Sequence, residues 1–339
     1  MTQPSTQRLI ALALCSLAAL LSASSSVLSQ ELFRPTLVRF DDDAKDKKSE
    51  SPNGKDKEGD KAKESYEPPK TLLKWNLFAP KDDKDDKDNK EDDNSPYSKP
   101  LEAERPDRTQ ASTVVGLGVL QIEAGYNFIR ASGTGQSSNN NNYPQTLIRY
   151  GCFRDWFEVQ LGFSYNNGDV KGTGSRFDQS GFDDLYLACK FALTEQDHCL
   201  PEMAIFVQTT VPSGARPFTS NRICPGLNLC YGWELNNTFS LGCSSAANRA
   251  VDDSNHDFLE MFQSASLQTK FNDRWAMFTE FFLISPHGAI DPEALPQYYI
   301  DGGFTFRPNK NIQLDINAGL GLNKHADDWF VGAGCAVRF

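Results

Sequence analysis

The chain has 339 residues, with 34 Lys and Arg against 45 Asp and Glu, and its formal net charge is -11 at pH 7. This acidic balance argues against nucleic acid as a partner, because binding to phosphates requires a basic surface. No stretch after residue 30 approaches the roughly 18 consecutive apolar residues of a transmembrane helix, so none is expected there.

Residues 1–29 are predicted to be a secretory signal peptide. Arg8 supplies the positive region, Leu9–Leu21 form an apolar core, and a tail of small residues leads to a cleavage site after Ser29. The apolar core is too short to span a bilayer, so we expect export rather than anchoring.

Residues 30–111 are predicted to be a disordered, Asp/Lys-rich linker. Asp41–Asp60 and Lys81–Asp93 are low-complexity tracts that cannot bury enough apolar surface to offset the entropy of ordering. Two more apolar islands, Phe33–Phe40 and Thr71–Phe78, interrupt the linker. They are suited to docking either on a periplasmic partner or on the remainder of this chain.

Residues 112–339 show the strict period-two alternation of two-faced β-strands. Near the C-terminus, for example, Ile312, Leu314 and Ile316 alternate with Gln313 and Asp315. The same test predicts twelve strands, near residues 119–130, 146–153, 156–166, 182–193, 202–212, 222–234, 237–248, 258–271, 274–285, 297–307, 311–322 and 329–339.

The connections between these strands alternate between short and long. Arg154–Asp155, Leu235–Asn236 and Asn272–Asp273 are tight turns, whereas Ala131–Gln145 and Asn167–Gly181 are long and polar. A soluble antiparallel sheet also alternates apolar and polar residues, but it has no reason to sort its loops in this way. Short periplasmic turns and long outer loops are typical of outer-membrane barrels. We therefore predict an all-β, antiparallel transmembrane β-barrel of about twelve strands, with both barrel termini in the periplasm.

The seven cysteines that remain after signal cleavage are an odd number, so they cannot all pair within the chain. Cys152, Cys189, Cys243 and Cys335 fall on the apolar phase of their strands, where a free cysteine behaves as a small hydrophobic residue. No Cys/His spacing of a metal site is present, and we expect neither metal nor cofactor.

An enzyme is the rival class of function, because some twelve-stranded outer-membrane barrels are phospholipases that carry a His-x-Ser pair. His198, His256, His287 and His325 all lack this arrangement, and the GxSxG, HExxH and P-loop motifs are absent. The sequence therefore predicts a protein that is not an enzyme.

Three motifs carry a resemblance to a known family: the ERPDRT box at 104–109, the first strand LQIEAGYNF, and the C-terminal GLGLNKHADDWFVGAGCAVRF. Residues 104–339 resemble the outer-membrane barrels named for the meta-pathway of phenol degradation. The family box corresponds to Arg105, Pro106, Asp107 and Thr109. The resemblance implies an outer-membrane channel for aromatic or other hydrophobic compounds. It also implies that the terminal Phe339 is the signal for the barrel-assembly machinery.

Charged residues on the polar phase of the strands are the candidates for lining a pore. They are Glu123, Glu158, Asp184, Lys190, Glu234, Glu260, Lys270, Asp301, Arg307, Asp315 and Arg338. A polar lumen needs such residues for rigidity alone. A subset of them can also set the field of a pore, and their acidic excess then favours cations or neutral solutes over anions.

The predicted function is a channel or transporter that passes small aromatic or hydrophobic solutes across the outer membrane. The alternative is a structural outer-membrane anchor, tethered to the periplasm through the charged linker and without transport activity. Expected partners are outer-membrane lipid, the barrel-assembly machinery and a small solute. The sequence leaves open whether Ala131–Gln145 or Asn167–Gly181 folds inward to plug the lumen.

Overall fold

A computed structural model describes residues 71–73, 96–133, 136–172, 175–216, 218–252, 255–291 and 294–339. All of them belong to the second of two compact units, Leu37–Phe339. The predicted signal peptide, the island at 33–40 and most of the predicted linker lie outside the described residues. The domain boundaries at 29 and 111 therefore stay predictions.

Within the described residues, fourteen β-strands form one antiparallel sheet that closes on itself through pairing of the first strand with the last. The strands are β1 (Leu120–Gly133), β2 (Gln136–Gly151), β3 (Phe157–Phe163), β4 (Tyr165–Gly172), β5 (Ser175–Phe182), β6 (Leu185–Thr194), β7 (Glu202–Val211), β8 (Cys224–Glu234), β9 (Phe239–Val251), β10 (Asp257–Lys270), β11 (Trp275–His287), β12 (Gln297–Asn309), β13 (Ile312–Gly321) and β14 (Trp329–Arg338).

These fourteen strands make twelve strands of barrel wall. The upper half of β2 pairs with β4 and its lower half pairs with β3, so β3 and β4 are one wall strand interrupted at Ser164. Likewise β5 pairs with β4 and β6 pairs with β3, with a break at Asp183–Asp184. The predicted all-β barrel of twelve strands is confirmed. Closure satisfies the backbone groups that an open edge would leave unpaired in lipid.

The predicted long loops 131–145 and 167–181 are wrong as loops. Their residues extend β1 and β2 and form the β4–β5 hairpin, so the barrel wall continues upward on this side. The Asn run explains the difference, because its side-chain amides bond across the strands. Asn140 donates to Asn166 at 3.1 Å, and Asn139 donates to Asp169 at 3.2 Å. This polar run, which is typical of a loop in sequence, therefore forms β-strands joined by side-chain amide hydrogen bonds.

Side chains alternate between the two faces of the wall. In β3 every second residue is buried, and in β11 the buried positions are Phe278, Glu280 and Phe282. The opposite face of β11 carries the exposed aromatics Trp275 and Phe281. Because the sheet is a closed tube, the buried face is the lumen and the apolar exposed face is the one that meets lipid. No helix among the described residues is long and apolar enough to cross a membrane.

Part of the predicted linker contacts the barrel. The amides of Leu72 and Leu73 donate to the carbonyls of Ala192 and Leu193 at the periplasmic end of β6, at 3.0 and 2.7 Å. Of the two docking surfaces considered for the Thr71–Phe78 island, its described residues therefore use the chain's own barrel. Residues 96–111 also have defined positions on and within the barrel.

Candidate functional site: a plug segment in the barrel lumen

The residues that precede β1 lie inside the barrel. We call Leu101–Val115 the plug segment. It has no regular secondary structure, so its backbone amides need other partners. Inward-facing carboxylates supply them: the amide of Glu104 donates to Glu123 at 3.0 Å, and the amide of Val115 donates to Glu158 at 2.8 Å. The wall of the lumen thus holds this irregular chain by its backbone as well as by its side chains.

The periplasmic end of the plug segment is fixed near the C-terminus of the barrel. The amide of Leu101 donates to the carbonyl of Lys310 at 2.8 Å. Arg338 donates to the carbonyls of Pro96 and Lys99 at 2.8 and 2.9 Å, and to the side chain of Asn311. The segment therefore enters and leaves the lumen at the same mouth, since its other end continues directly into β1.

A buried ion cluster ties the plug segment to the wall strands β1, β2, β3 and β6. Glu104 of the plug pairs with Lys190 at 2.7 Å and with Arg149 at 3.2 Å. Arg149 also pairs with Glu158 at 2.7 Å and with Glu123 at 3.2 Å. All five side chains are at most 2% exposed. Removal of one partner would leave an uncompensated charge in a poorly solvated site, so the cluster fixes the position of the plug.

Arg105 lies in a groove between two glycines. Gly125 of β1 and Gly334 of β14 face each other across the seam that closes the barrel, and a Cβ at either position would overlap the guanidinium of Arg105. The guanidinium reaches Asp315 at 3.2 Å and Gln145 at 3.1 Å. The two glycines thus provide the space in which Arg105 lies flat against the wall.

A second anchor holds the middle of the plug. Glu280 accepts hydrogen bonds from the amides of Arg108 and Thr109, both at 2.7 Å, and from the hydroxyl of Thr109 at 2.5 Å. Asp107 lies beside Glu280. Burial raises the pKa of Asp107 well above its ordinary value, and the charge of Glu280 raises it further. Asp301 is also buried here, with its carboxyl group against that of Glu280.

The tip of the plug lies under a cluster of aromatic side chains. The guanidinium of Arg108 is 6.0 Å from the ring centre of Phe282 and 5.7 Å from that of Phe330. Phe282 stacks on Tyr299 with 4.6 Å between ring centres. Burial raises the pKa of Asp327, in the outer β13–β14 connection, while the positive charge of Arg108 lowers it. This aromatic cluster lies between the plug and the outer loops.

Two cavities lie against the plug segment, and Arg108 and Gln110 contact both. The larger has a volume of about 410 Å³, and its wall includes the buried Asn127, Gln160 and Ser164. Each of these three side chains has an oxygen without a partner among the described residues. The smaller cavity has a volume of about 250 Å³ and is lined by the following residues: Arg108, Gln110, Tyr186, Gln208, Asn228, Ala246, Asn248, Glu260, Phe262 and Ile284. The lumen is therefore filled in part, and the spaces that remain are lined by hydrogen-bond acceptors and a few rings.

The structure brings part of the predicted pore set together at the plug. Glu123, Glu158, Lys190 and Asp315 bond directly to it, and Asp301 is buried beside its second anchor.

The other predicted pore residues lie elsewhere. Arg338 holds the chain just before the plug, Arg307 donates to Gln313, and Glu260 lines the smaller cavity. Asp184 accepts hydrogen bonds from Gly214 and Ser220 of an outer connection, whereas Glu234 and Lys270 are exposed at periplasmic turns. Their role in setting the field of a pore stays a prediction.

Three residues that hold the plug segment were not among those predicted from the sequence: Glu104, Arg149 and Glu280. Arg149 and Glu280 lie on the polar phase of β2 and β11, so the alternation that revealed Glu123 could have revealed them. Glu104 stands in an irregular segment that has no alternation to follow.

The residues of the ERPDRT box all lie in the lumen. Besides the contacts of Arg105, Asp107 and Thr109, the carbonyl of Pro106 accepts a hydrogen bond from Asn317 at 3.5 Å. Among the described residues no group of three or more His, Cys, Asp or Glu side chains could hold a metal ion, and the seven described cysteines form no disulfide.

The chain matches a family model, and its barrel is similar to proteins of known structure. A family model described as "Putative MetA-pathway of phenol degradation" matches residues 103–339. The chain is similar in fold to an outer membrane channel from Pseudomonas putida F1, with a TM-score of 0.52 and 13% identity over 70% of this chain and 100% of that one. The KdgM porin in complex with oligogalacturonate has a TM-score of 0.43 and 8% identity, over 65% of this chain and 99% of that one. The CymD monoaromatic hydrocarbon channel has a TM-score of 0.34 and 10% identity, over 66% of this chain and 88% of that one. No curated protein matches the chain.

Proposed function

The chain belongs to this family of outer-membrane proteins, and we propose that it is a solute channel of the outer membrane whose own plug segment closes the lumen. One observation carries the proposal: the lumen of a closed barrel is occupied by an irregular segment held through ion pairs and hydrogen bonds rather than through sheet pairing. Such contacts can be exchanged for water when the segment moves, whereas removal of a wall strand would open the barrel. Displacement of the plug segment then opens a path across the membrane.

The solutes of this channel are small aromatic or hydrophobic compounds. Tyr186 and Phe262 line both cavities beside the plug, where their rings can contact an aromatic molecule. The polar oxygens of Asn127 and Gln160 in the larger cavity provide acceptors for a hydroxyl or ammonium group. The family description, which names phenol degradation, agrees with this solute class.

Solute flux through the reconstituted full chain tests the proposal. In liposome-swelling measurements we expect tyramine, an aromatic cation, to enter faster than 4-hydroxybenzoate, an aromatic anion of similar size. Arg108→Ala removes the side chain that contacts both cavities, and it should raise the flux of both solutes. Arg222→Ala is the matched control, because Arg222 pairs with Asp257 in the outer loops and does not contact the plug.

The result that would refute the proposal is equally specific. A folded barrel that admits none of these solutes, with the Arg108→Ala variant no different from wild type, would favour a structural anchor. A faster flux of the anion would contradict the charge argument while leaving the channel itself intact.

A further inference from the structure

A polar cluster lies on the outward face of the barrel, away from the lumen and the plug. It spans three neighbouring strands and consists of Tyr231 on β8, Ser245 on β9 and Gln263 on β10. The hydroxyl of Ser245 donates to Oε1 of Gln263 at 2.7 Å, and the hydroxyls of Tyr231 and Ser245 are 3.4 Å apart. The three side chains thus form one hydrogen-bonded chain on the surface of the wall.

The register places Gln263 within the apolar band that faces lipid. On its own strand the outward neighbours are Met261 and Ala265, and across β11 it faces Leu283. The next outward residue in each direction along β10 is an exposed leucine, Leu259 at 44% and Leu267 at 42%. Gln263 therefore has apolar surface above, below and beside it, and its outward phase is fixed by the inward burial of the adjacent Ser264.

The hydrogen bonds on the wall satisfy only part of the Gln263 amide. Its oxygen accepts from Ser245, but no described residue accepts a hydrogen bond from Nε2, which carries two N–H donors. In hydrocarbon there is no water to accept from these donors, so an unpaired amide at this depth is strongly unfavourable. Either lipid or another protein surface has to provide the acceptors.

We propose that the outward face of β8–β10 around Gln263 is a membrane-embedded interface with a second copy of this chain. A primary amide is complementary to itself: Nε2 of each copy donates to Oε1 of the other about a twofold axis, and Oε1 keeps a second lone pair after its bond with Ser245. A twofold axis along the membrane normal gives both barrels the same orientation. Ala247 and Ala265 flank the cluster on β9 and β10, and their small side chains allow two walls to approach closely.

Site-specific photo-crosslinking of the full chain in outer membranes tests the interface. A benzophenone amino acid replaces Leu267, beside the cluster on β10, in cells that express two differently tagged copies. The control position is Tyr150 on β2, six strands away around the ring and 44% exposed. We expect a covalent product that carries both tags from position 267 and none from position 150. Products with lipid alone, or with a different protein, would overturn the proposal.

A substitution separates the amide from general wall packing. Gln263→Met keeps a side chain of similar length without hydrogen-bonding groups, and it should lower the yield of the doubly tagged product roughly tenfold. Thr279→Val, an outward polar-to-apolar change on β11, should leave the yield unchanged. Heat-dependent migration on gels verifies that each variant is a folded barrel. An undiminished yield from the folded Gln263→Met variant would show that the amide does not form the interface.

Discussion

The groove that holds Arg105 offers a way to move the plug without changing any charged residue. Gly125 and Gly334 face each other across the β1–β14 seam, and a methyl group on either would overlap the guanidinium of Arg105. Neither glycine has a positive φ, so the backbone itself accepts alanine. Gly125→Ala should therefore act only by displacing the Arg105 side chain.

The magnitude follows from the contacts that Arg105 loses. Its ion pair with Asp315 at 3.2 Å and its hydrogen bond to Gln145 at 3.1 Å both involve a charged donor. Two charge-assisted hydrogen bonds in a partly hydrated lumen contribute about 2–4 kcal/mol together. At about 1.4 kcal/mol per factor of ten, the equilibrium between plugged and open states shifts about 30-fold to 700-fold toward opening.

Planar-bilayer recordings of open probability measure this shift directly. Gly133→Ala is the matched control, since Gly133 lies on the same strand and a Cβ there meets no atom within 4 Å. In an Arg105→Ala background, Gly125→Ala should have no further effect, because the side chain it displaces is already absent. If Gly125→Ala and Gly334→Ala both behave like Gly133→Ala, the guanidinium does not hold the plug and the reasoning fails.

Three further predictions concern the ion cluster, the buried acid of the plug and the C-terminus. Lys190→Met removes a cation beside the buried carboxylate of Glu104 and should lower the free energy of unfolding in urea by about 3–5 kcal/mol. Lys270→Met, at an exposed turn, should lower it by less than ~1 kcal/mol. Equal losses in the two variants would contradict the buried-charge argument. The pKa of Asp107 is raised above its ordinary value of 3.8 in the plugged state, so the protonated carboxyl group stabilises that state. This stabilisation is complete below pH 3.8 and is lost as the pH rises through the raised pKa. Open probability should therefore rise with pH, and Asp107→Asn should remove the rise; a variant with an unchanged pH profile would exclude Asp107. Deletion of Phe339, which we propose as the assembly signal, should lower outer-membrane levels while export to the periplasm continues, and fractionation with normal outer-membrane levels would count against that role.

The barrel could be predicted from sequence because its determinants are local. Strand alternation and two-residue turns such as Asn272–Asp273 each depend on a few neighbouring residues. The inward phase of Glu123, Glu158 and Lys190 follows from the same alternation. What those carboxylates and amines contact does not follow, since it depends on residues far away in the chain.

The plug segment could not be predicted, for a physical reason. Glu104 and Thr109 stand in an irregular stretch with no periodicity, and their partners Lys190 and Glu280 are 86 and 171 residues away. The segment is ordered by the side-chain acceptors and charges of the completed lumen, which no local sequence pattern encodes. The Asn run at 139–142 misled the prediction for the opposite reason, because its polarity indicates a loop while its amides form a ladder between strands.

Attachment of the plug segment at both ends has a consequence for its kinetics. Leu120 continues it into the wall, and the contacts of Leu101 and Arg338 hold its other end at the same mouth. A displaced plug cannot diffuse away, so its effective concentration at the lumen stays in the millimolar range typical of short tethers. Reclosure is then an intramolecular step whose rate is independent of protein concentration. In the proposed mechanism the plug can therefore close the lumen again without any second component.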